Sequence, residues 1–119
     1  MQDAGAYPAI GSVLPMFGRI MASGNYALDR VDASGESVVT NTTPVGAYRG
    51  AGRPEATLAL ERIIDVYAAE IGMDPAELRR RNFLGKDDFP YVTQTGADMD
   101  TGEYEAALDK VLEIVDVDA

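Results

Sequence analysis

From Pro54 to Ile71 the apolar residues Ala56, Leu60, Ile63, Ile64, Tyr67 and Ile71 recur at spacings of three and four. That period turns them all to one side of an amphipathic helix. Pro54 suits the first helical position, because its missing N–H would be unpaired there in any case. Glu55 sets a negative charge beside the positive end of the helix dipole, and Gly72 supplies a left-handed stop. The rest of the chain must be arranged around this helix.

Upstream, Ile10, Val13, Leu14, Phe17, Ile20 and Met21 have helical spacing across residues 8–23, with Gly24 as a stop. Pro15 lies inside the pattern and would cost an interior helix about 3 kcal/mol, so a kinked or broken helix is expected, its Met and Phe side chains serving as core. Tyr26, Leu28 and Val31 lead into the turn-forming Asp32-Ala33-Ser34-Gly35. Ser37-Val38-Val39-Thr40 has the β-branched content of a strand, giving a hairpin or two extended segments.

Downstream, Asp74 can cap a short helix with Pro75 first and Glu77 reaching back as in a capping box. Leu78 and Phe83 read as buried. Arg79, Arg80 and Arg81 read as a solvated face pairing with carboxylates, a phosphate clamp being the alternative. Gly85, Pro90 and Gly96 mark an extended loop over 85–100. Asp100 then caps a last helix, with Glu103 three residues on and Tyr104, Ala107, Leu108, Val111, Leu112 and Val115 as its stripe. No stop signal follows, which reads as truncation.

The expected fold is an α/β (α+β-like) fragment, a single piece of a domain. It has a broken helix within 1–25, a β region over 26–43, a Gly-rich loop over 44–53, helices over 54–84, a loop over 85–100 and a helix over 101–116. A compact chain of 119 residues buries roughly two-thirds of its surface.

Composition removes much chemistry. Cysteine and histidine are both absent, which excludes disulfides, zinc fingers, Cys-ligated iron–sulfur clusters and an imidazole base. Any metal must be held by carboxylates or arrive in a cofactor with its own ligands. The net charge of −10 argues against a nucleic-acid surface. It reads as a solvated acidic exterior, or as one adapted to high salt. No apolar run reaches the ~18 residues of a membrane span, and no basic start precedes a secretory core. A soluble, cytoplasmic chain with no membrane partner is expected.

The residues with the most chemical promise are Val45-Gly46-Ala47-Tyr48-Arg49-Gly50-Ala51-Gly52-Arg53-Pro54. This glycine-rich turn runs from extended chain into a helix N-terminus, a setting that suits an anion or oxo group through free amides and close backbone approach at Gly50 and Gly52. It lacks the Gly-Lys-Ser/Thr of a P-loop, and Pro54-Glu55 breaks a dinucleotide fingerprint. By spacing alone a structural turn fits as well as a binding loop. Arg49 and Arg53 could equally pair with surface carboxylates, and Tyr48 could belong to a core.

Thr40-Asn41-Thr42-Thr43-Pro44 followed by Ala47-Tyr48-Arg49-Gly50-Ala51-Gly52-Arg53-Pro54-Glu55-Ala56 resembles the active-site loop of the xanthine dehydrogenase, aldehyde oxidase and aerobic carbon monoxide dehydrogenase large subunits. The resemblance continues through Glu61-Arg62-Ile63-Ile64-Asp65, Gly72-Met73-Asp74-Pro75 and Arg79-Arg80-Arg81-Asn82-Phe83. It extends to Phe89-Pro90-Tyr91 and Gly102-Glu103-Tyr104. It implies a wall of a molybdopterin site, the cofactor bringing its molybdenum in the molybdopterin or the cytosine dinucleotide form. Tyr48, Arg49 and Gly50 would lie beside the cofactor and Ala51 would face the substrate.

Relatives that oxidise xanthine carry a stacking Phe at the position of Ala51, and copper-containing relatives carry Cys at that of Gly50. The resemblance therefore points to the copper-free form, acting on an aldehyde or N-heterocycle. The family's general base, a Glu in a later Gly-rich motif, has no counterpart here. No catalytic residue and no protein metal ligand is expected in this chain, which alone should neither turn over nor retain cofactor. Partners implied are the remainder of the large subunit and the iron–sulfur and FAD subunits or domains. The rival reading is a non-catalytic acidic helical module binding a basic partner. A second rival is a phosphate-binding domain.

Overall fold

The computed structural model describes residues 1–115. It is a mixed α/β arrangement with four α-helices and two small sheets among those residues: β1 (Gln2–Asp3), α1 (Leu14–Ile20), β2 (Ser37–Val38), α2 (Arg53–Ile71), α3 (Pro75–Asn82), β3 (Tyr91–Val92), β4 (Asp98–Met99) and α4 (Tyr104–Ile114). β1 pairs in parallel with β2, Gln2 opposite Ser37, and β3 with β4 antiparallel, Tyr91 opposite Met99. A strand thus lies inside residues 1–25, where the sequence predicts helix, ahead of the periodic stretch of 8–23, and β2 is an extended segment paired with the start of the chain and not part of a hairpin.

The N-terminal helical stretch is broken beside Pro15, as expected. A 3-10 turn over Ile10–Val13 leads directly into α1, and Pro15 sits in the first turn of α1, where no N–H is required. α2 begins at a left-handed Gly52 and ends at a left-handed Gly72, whose N–H bonds back to the Ala68 and Ala69 carbonyls. Asp74 caps α3 by accepting from the Glu77 N–H at 2.8 Å. The Glu77 carboxylate does not reach back, because it accepts from Arg81 Nε at 2.7 Å. Nor does Asp100 cap the last helix. It accepts from its neighbour Thr101, and α4 starts at Tyr104 without a side-chain cap. The expected end of that helix at 116 lies outside the described residues.

Residues 85–100 are more ordered than a loop. A 3-10 turn over Lys86–Asp88 precedes the β3–β4 hairpin. The hairpin docks on the end of α1 through Thr95 Oγ1, which donates to the Ile20 carbonyl at 2.6 Å. Residues 25–27 run beside 82–84, with Leu84 N–H donating to Asn25 O at 3.0 Å and Tyr26 stacked on Phe83 at 5.4 Å between ring centroids. Phe83 and Phe89 both flank Tyr104.

α1 and α3 pack against α2, yet little of the helical stripe is covered. Buried apolar residues are Ala4, Leu14, Tyr26, Ala68, Leu78 and Leu84, whereas Ile63 stays 65% exposed and Ile114 74%. The accessible surface is 8292 Å², against about 6200 Å² for a compact chain of this size. The radius of gyration is 16.6 Å, against roughly 13.5 Å. The molecule is an open wall whose apolar faces exceed what it can fold over itself.

Candidate functional site

The glycine-rich turn is a strap fastened at both ends to the first eighteen residues. Its leading end, residues 37–45, runs along the N-terminal segment: Ala4 N–H donates to Val38 O, Thr40 N–H to Gly5 O, Ala6 N–H to Thr42 O and Val45 N–H to Ala4 O. Two glycines make room for this pairing. A Cβ at Gly5 would overlap the Thr43 carbonyl, and one at Gly11 would overlap that of Val45.

Asp3 ties the same stretch through its side chain. Its carboxylate accepts from Gly5 N–H at 2.8 Å, from Thr40 Oγ1 at 2.8 and 3.0 Å and from Thr42 Oγ1 at 3.0 Å. The Gly5 amide, then the Thr40 hydroxyl, hold its pKa below the ordinary 3.8.

The trailing end is fastened by Gly52, which is buried against α1. A Cβ there would overlap the Leu14 carbonyl and lie 3.0 Å from Gly18 N. Between the two ends, residues 41–49 are exposed. The chain then reverses through three successive positive φ values, Gly50 at 96°, Ala51 at 45° and Gly52 at 88°. Ala51 is the one non-glycine residue among those described that adopts this conformation, a local strain of the kind stored at functional sites.

The sequence candidates fall as follows. Tyr48 is 86% exposed and takes no part in a core. Arg49 is exposed and has no ion-pair partner among the described residues. Arg53 pairs with no carboxylate either: its Nη1 donates to Gly50 O at 3.2 Å and its guanidinium lies 5.2 Å over the Phe17 ring. Tyr48, Arg49 and Gly50 donate no backbone hydrogen bond within the described residues.

Gly50 and Gly52 are needed by the chain's own packing. A Cβ at Gly50 would lie 2.6 Å from Pro54 Cγ, so both glycines yield space to their own chain. The start of α2 is also less open than its sequence implies. Arg53 N–H is taken by Gly50 O, Ala56 N–H by Gly52 O, and Pro54 has none. The amides of 46–50, with the buried Gly52 N–H and the Glu55 N–H of the first turn, have no acceptor among the described residues, and on the exposed tip the donors are the amides of 46–49, the half-buried Gly50 N–H and the Arg49 guanidinium.

A groove of about 700 Å³ lies between α1 and α2, lined by Leu14, Pro15, Gly18, Ala56, Leu60 and Ile63 among others. None of residues 48–51 lines it, so this groove sits behind the strap and not under its tip. The arginine run of α3 pairs as a solvated face should, Arg80 with Asp109 and Arg81 with Glu77. Arg79 goes further. It bonds Glu61 and Asp65 at 2.8 Å each, while Tyr26 donates to Glu61 at 2.8 Å. Burial, and then the Glu61 carboxylate, push the Tyr26 hydroxyl well above its ordinary 10.

The strap is exposed, and the amides at its tip are unengaged among the described residues. The family model described as "Molybdopterin cofactor-binding domain" matches residues 1–83. The chain belongs to that family. It is 46% identical over 101 residues to the carbon monoxide dehydrogenase large chain of Hydrogenophaga pseudoflava, covering 83% of this chain and 13% of that one. It is 51% identical over 69 residues to the 6-hydroxypseudooxynicotine dehydrogenase complex subunit gamma of Paenarthrobacter nicotinovorans, covering 58% of this chain and 9% of that one. Quinoline 2-oxidoreductase from Pseudomonas putida 86 superposes with a TM-score of 0.88 at 34% identity, covering 98% of this chain and 15% of that one. The chain therefore spans less than a sixth of the length of these relatives.

The donor set fits such a cofactor, whose phosphate and oxo groups accept hydrogen bonds. Among the described residues no group of three or more His, Cys, Asp or Glu is placed to hold a metal ion. No described helix is long and apolar enough to cross a membrane. Asp3 is the residue that sequence reasoning missed. Its acceptor role depends on threonines 37 and 39 positions away.

Proposed function

We propose that this chain forms one wall of the cofactor site in the large subunit of a molybdenum hydroxylase, within a multi-subunit oxidoreductase. The observation that carries the reading is the strap tip, where the unengaged amides of 48–50 and the unpaired Arg49 stand on a backbone fixed at both ends. Bound there, the cofactor supplies oxygen-atom transfer from water to a carbon centre, with two electrons passed on. Tyr48, Arg49 and Gly50 bind and orient it, the amides donating to its oxygens and the guanidinium offsetting its negative charge. Ala51, with only a methyl group, leaves the substrate side open to an aldehyde or N-heterocycle. Similarity to the 6-hydroxypseudooxynicotine dehydrogenase subunit and to quinoline 2-oxidoreductase favours the heterocycle.

The same reading places the general base, the iron–sulfur clusters and FAD on other segments or subunits of a cytoplasmic enzyme. The 119 residues alone then neither retain cofactor, in its molybdopterin or cytosine dinucleotide form, nor turn over, since a base must lie within hydrogen-bond reach of the reacting water. The test is Arg49→Ala in the complete subunit. Molybdenum content should fall about tenfold, the loss expected for a charge-assisted hydrogen bond. The melting midpoint should hold, because Arg49 has no partner in this wall. Normal molybdenum content and normal turnover in the variant would sink the reading.

A further inference from the structure

We propose that Asp3 is the positioning residue of the cofactor strap, holding residues 40–53 in the conformation that presents the 48–50 amides. The inference rests on the reading of the strap given above and deepens it. Three features converge on this carboxylate.

First, its acceptors are filled from both strands of the junction: Gly5 N–H from the N-terminal side, and the Thr40 and Thr42 hydroxyls from the strap side. A carboxylate is acceptor-only and can take all three at once, whereas Asn offers one acceptor oxygen and turns donors toward the remaining hydroxyl. Second, the Thr40 and Thr42 hydroxyl oxygens lie 2.8 Å apart, and with one proton on each, Thr42 shares its proton between the carboxylate and Thr40 Oγ1, which closes the group. Third, no apolar side chain could take over the task. Residues 41–49 are exposed, and the contacts that Gly5 and Gly11 make with the strap are backbone to backbone. Hydrogen bonds to a charged acceptor are the strongest tie available at such a surface.

At the far end, Gly52 and the Arg53–Gly50 contact fix the exit. With the exit fixed, the setting of the entrance decides where the tip stands. An entrance freed at Thr40 and Thr42 leaves the tip held from one side only, and the amides of 48–50 sample orientations that no longer converge. Asp3 itself touches neither cofactor nor substrate. Its effect passes through Thr40 and Thr42.

The experiment compares Asp3→Ala, Thr40→Val and Thr40→Ser in the complete, cofactor-loaded subunit, with hydrogen exchange followed by peptide and molybdenum content measured alongside. Amides across 40–53 should exchange about tenfold faster in Asp3→Ala and Thr40→Val, as loss of a charge-assisted tie implies. Thr40→Ser keeps the hydroxyl and should restore wild-type exchange. Molybdenum content should fall in the first two variants and recover in the third, while exchange across 56–71 in α2 stays at its wild-type rate.

Unchanged exchange at 40–53 in Asp3→Ala would overturn the positioning role and leave the cofactor reading intact. Faster exchange there with full molybdenum content would overturn the cofactor reading of the strap, and the positioning role with it. Faster exchange spread equally over α2 would overturn the proposal in favour of a general structural part for Asp3. If Asp3→Ala fails to fold, the Thr40→Val and Thr40→Ser pair decides between the same outcomes.

Discussion

The two halves of this molecule are held by different physics. Residues 1–52 contain two-residue strands, one short helix and a long exposed strap, and their order comes from backbone pairing, hydroxyl–carboxylate bonds and glycines with no room for a Cβ. Residues 53–115 contain three helices joined by side chains, with every ion pair among the described residues and the stack of Tyr26 on Phe83 drawn in from the first half. Charge divides the same way. Four acidic and three basic residues lie in 1–52, against sixteen and seven in 53–119, so −9 of the total −10 belongs to the helical half. Backbone fastening fixes the course of the strap to within a side chain's width, while the helices are joined through their side chains and carry most of the charge on their exteriors.

The sharpest way to break this contrast uses two glycines of like conformation. Gly52 and Gly72 both have positive φ, at 88° and 66°. A Cβ at Gly52 would overlap the Leu14 carbonyl, whereas one at Gly72 would meet nothing within 4 Å. Gly72→Ala should therefore lose only the left-handed penalty of about 1 kcal/mol. Gly52→Ala should lose about 3 kcal/mol, since overpacking adds to it. Denaturant midpoints at matched slopes measure both. Equal losses would mean that the close contact between strap and α1 contributes nothing.

The same contrast explains what could be read from the residues. α2 and α3 were legible because periodicity, Pro54, Gly72 and Asp74 are local signals, each acting within a turn of the helix it sets. The β1–β2 pair was not, since Gln2 meets Ser37 across a separation that leaves no trace in either segment. The hairpin at 91–99 was hidden by its two-residue strands, although Tyr91-Val92-Thr93 before Gly96 has the β-branched content of a strand.

Periodicity also overstated the core. It shows that Ile63, Tyr67 and Ile71 share a face, but these remain 65%, 52% and 43% exposed because sharing a face does not cover it. At the site, the strap stood out through its glycines and its family resemblance. The role of Gly50 and Gly52 against Pro54 and α1 needed the fold, as did Asp3.

A middle-sized effect is expected where the halves meet. Tyr26 is buried and donates to Glu61, which Arg79 also holds. Tyr26→Phe should lose about 1–2 kcal/mol, because Glu61 keeps its arginine and is not left unpaired. Alkaline pH tests the same bond. The folded state holds the Tyr26 proton above its ordinary pKa of 10, so its contribution is complete below pH 10. It is lost as the unfolded chain ionises above that value, at up to about 1.4 kcal/mol per pH unit. The Tyr104 hydroxyl is also raised, by burial and then by Asp100, so the Phe variant should show a shallower alkaline decline rather than none. Identical alkaline slopes in wild type and variant would remove Tyr26 from the junction.

The smallest effect separates the halves by charge. With −9 concentrated in residues 53–119, carboxylate repulsion should destabilise the helical half at low salt. Added potassium chloride shortens the screening length from about 10 Å at 0.1 M to about 3 Å at 1 M. Two responses compete. Screening relieves repulsion among sixteen carboxylates, and it weakens exposed pairs such as Lys86–Glu103 and Lys110–Glu113. Exposed pairs of this kind contribute little, at about 0–1 kcal/mol each, so repulsion wins and the melting midpoint followed by helical signal should rise. A gain near 0.5 kcal/mol corresponds to roughly 2–4 °C for a chain of this size. The rise should level off toward 1 M, where screening is nearly complete. A midpoint that climbs steadily beyond 1 M would point instead to salt acting on apolar surface. A flat or falling midpoint would show that the acidic half is simply well solvated, and that its charge costs the fold nothing.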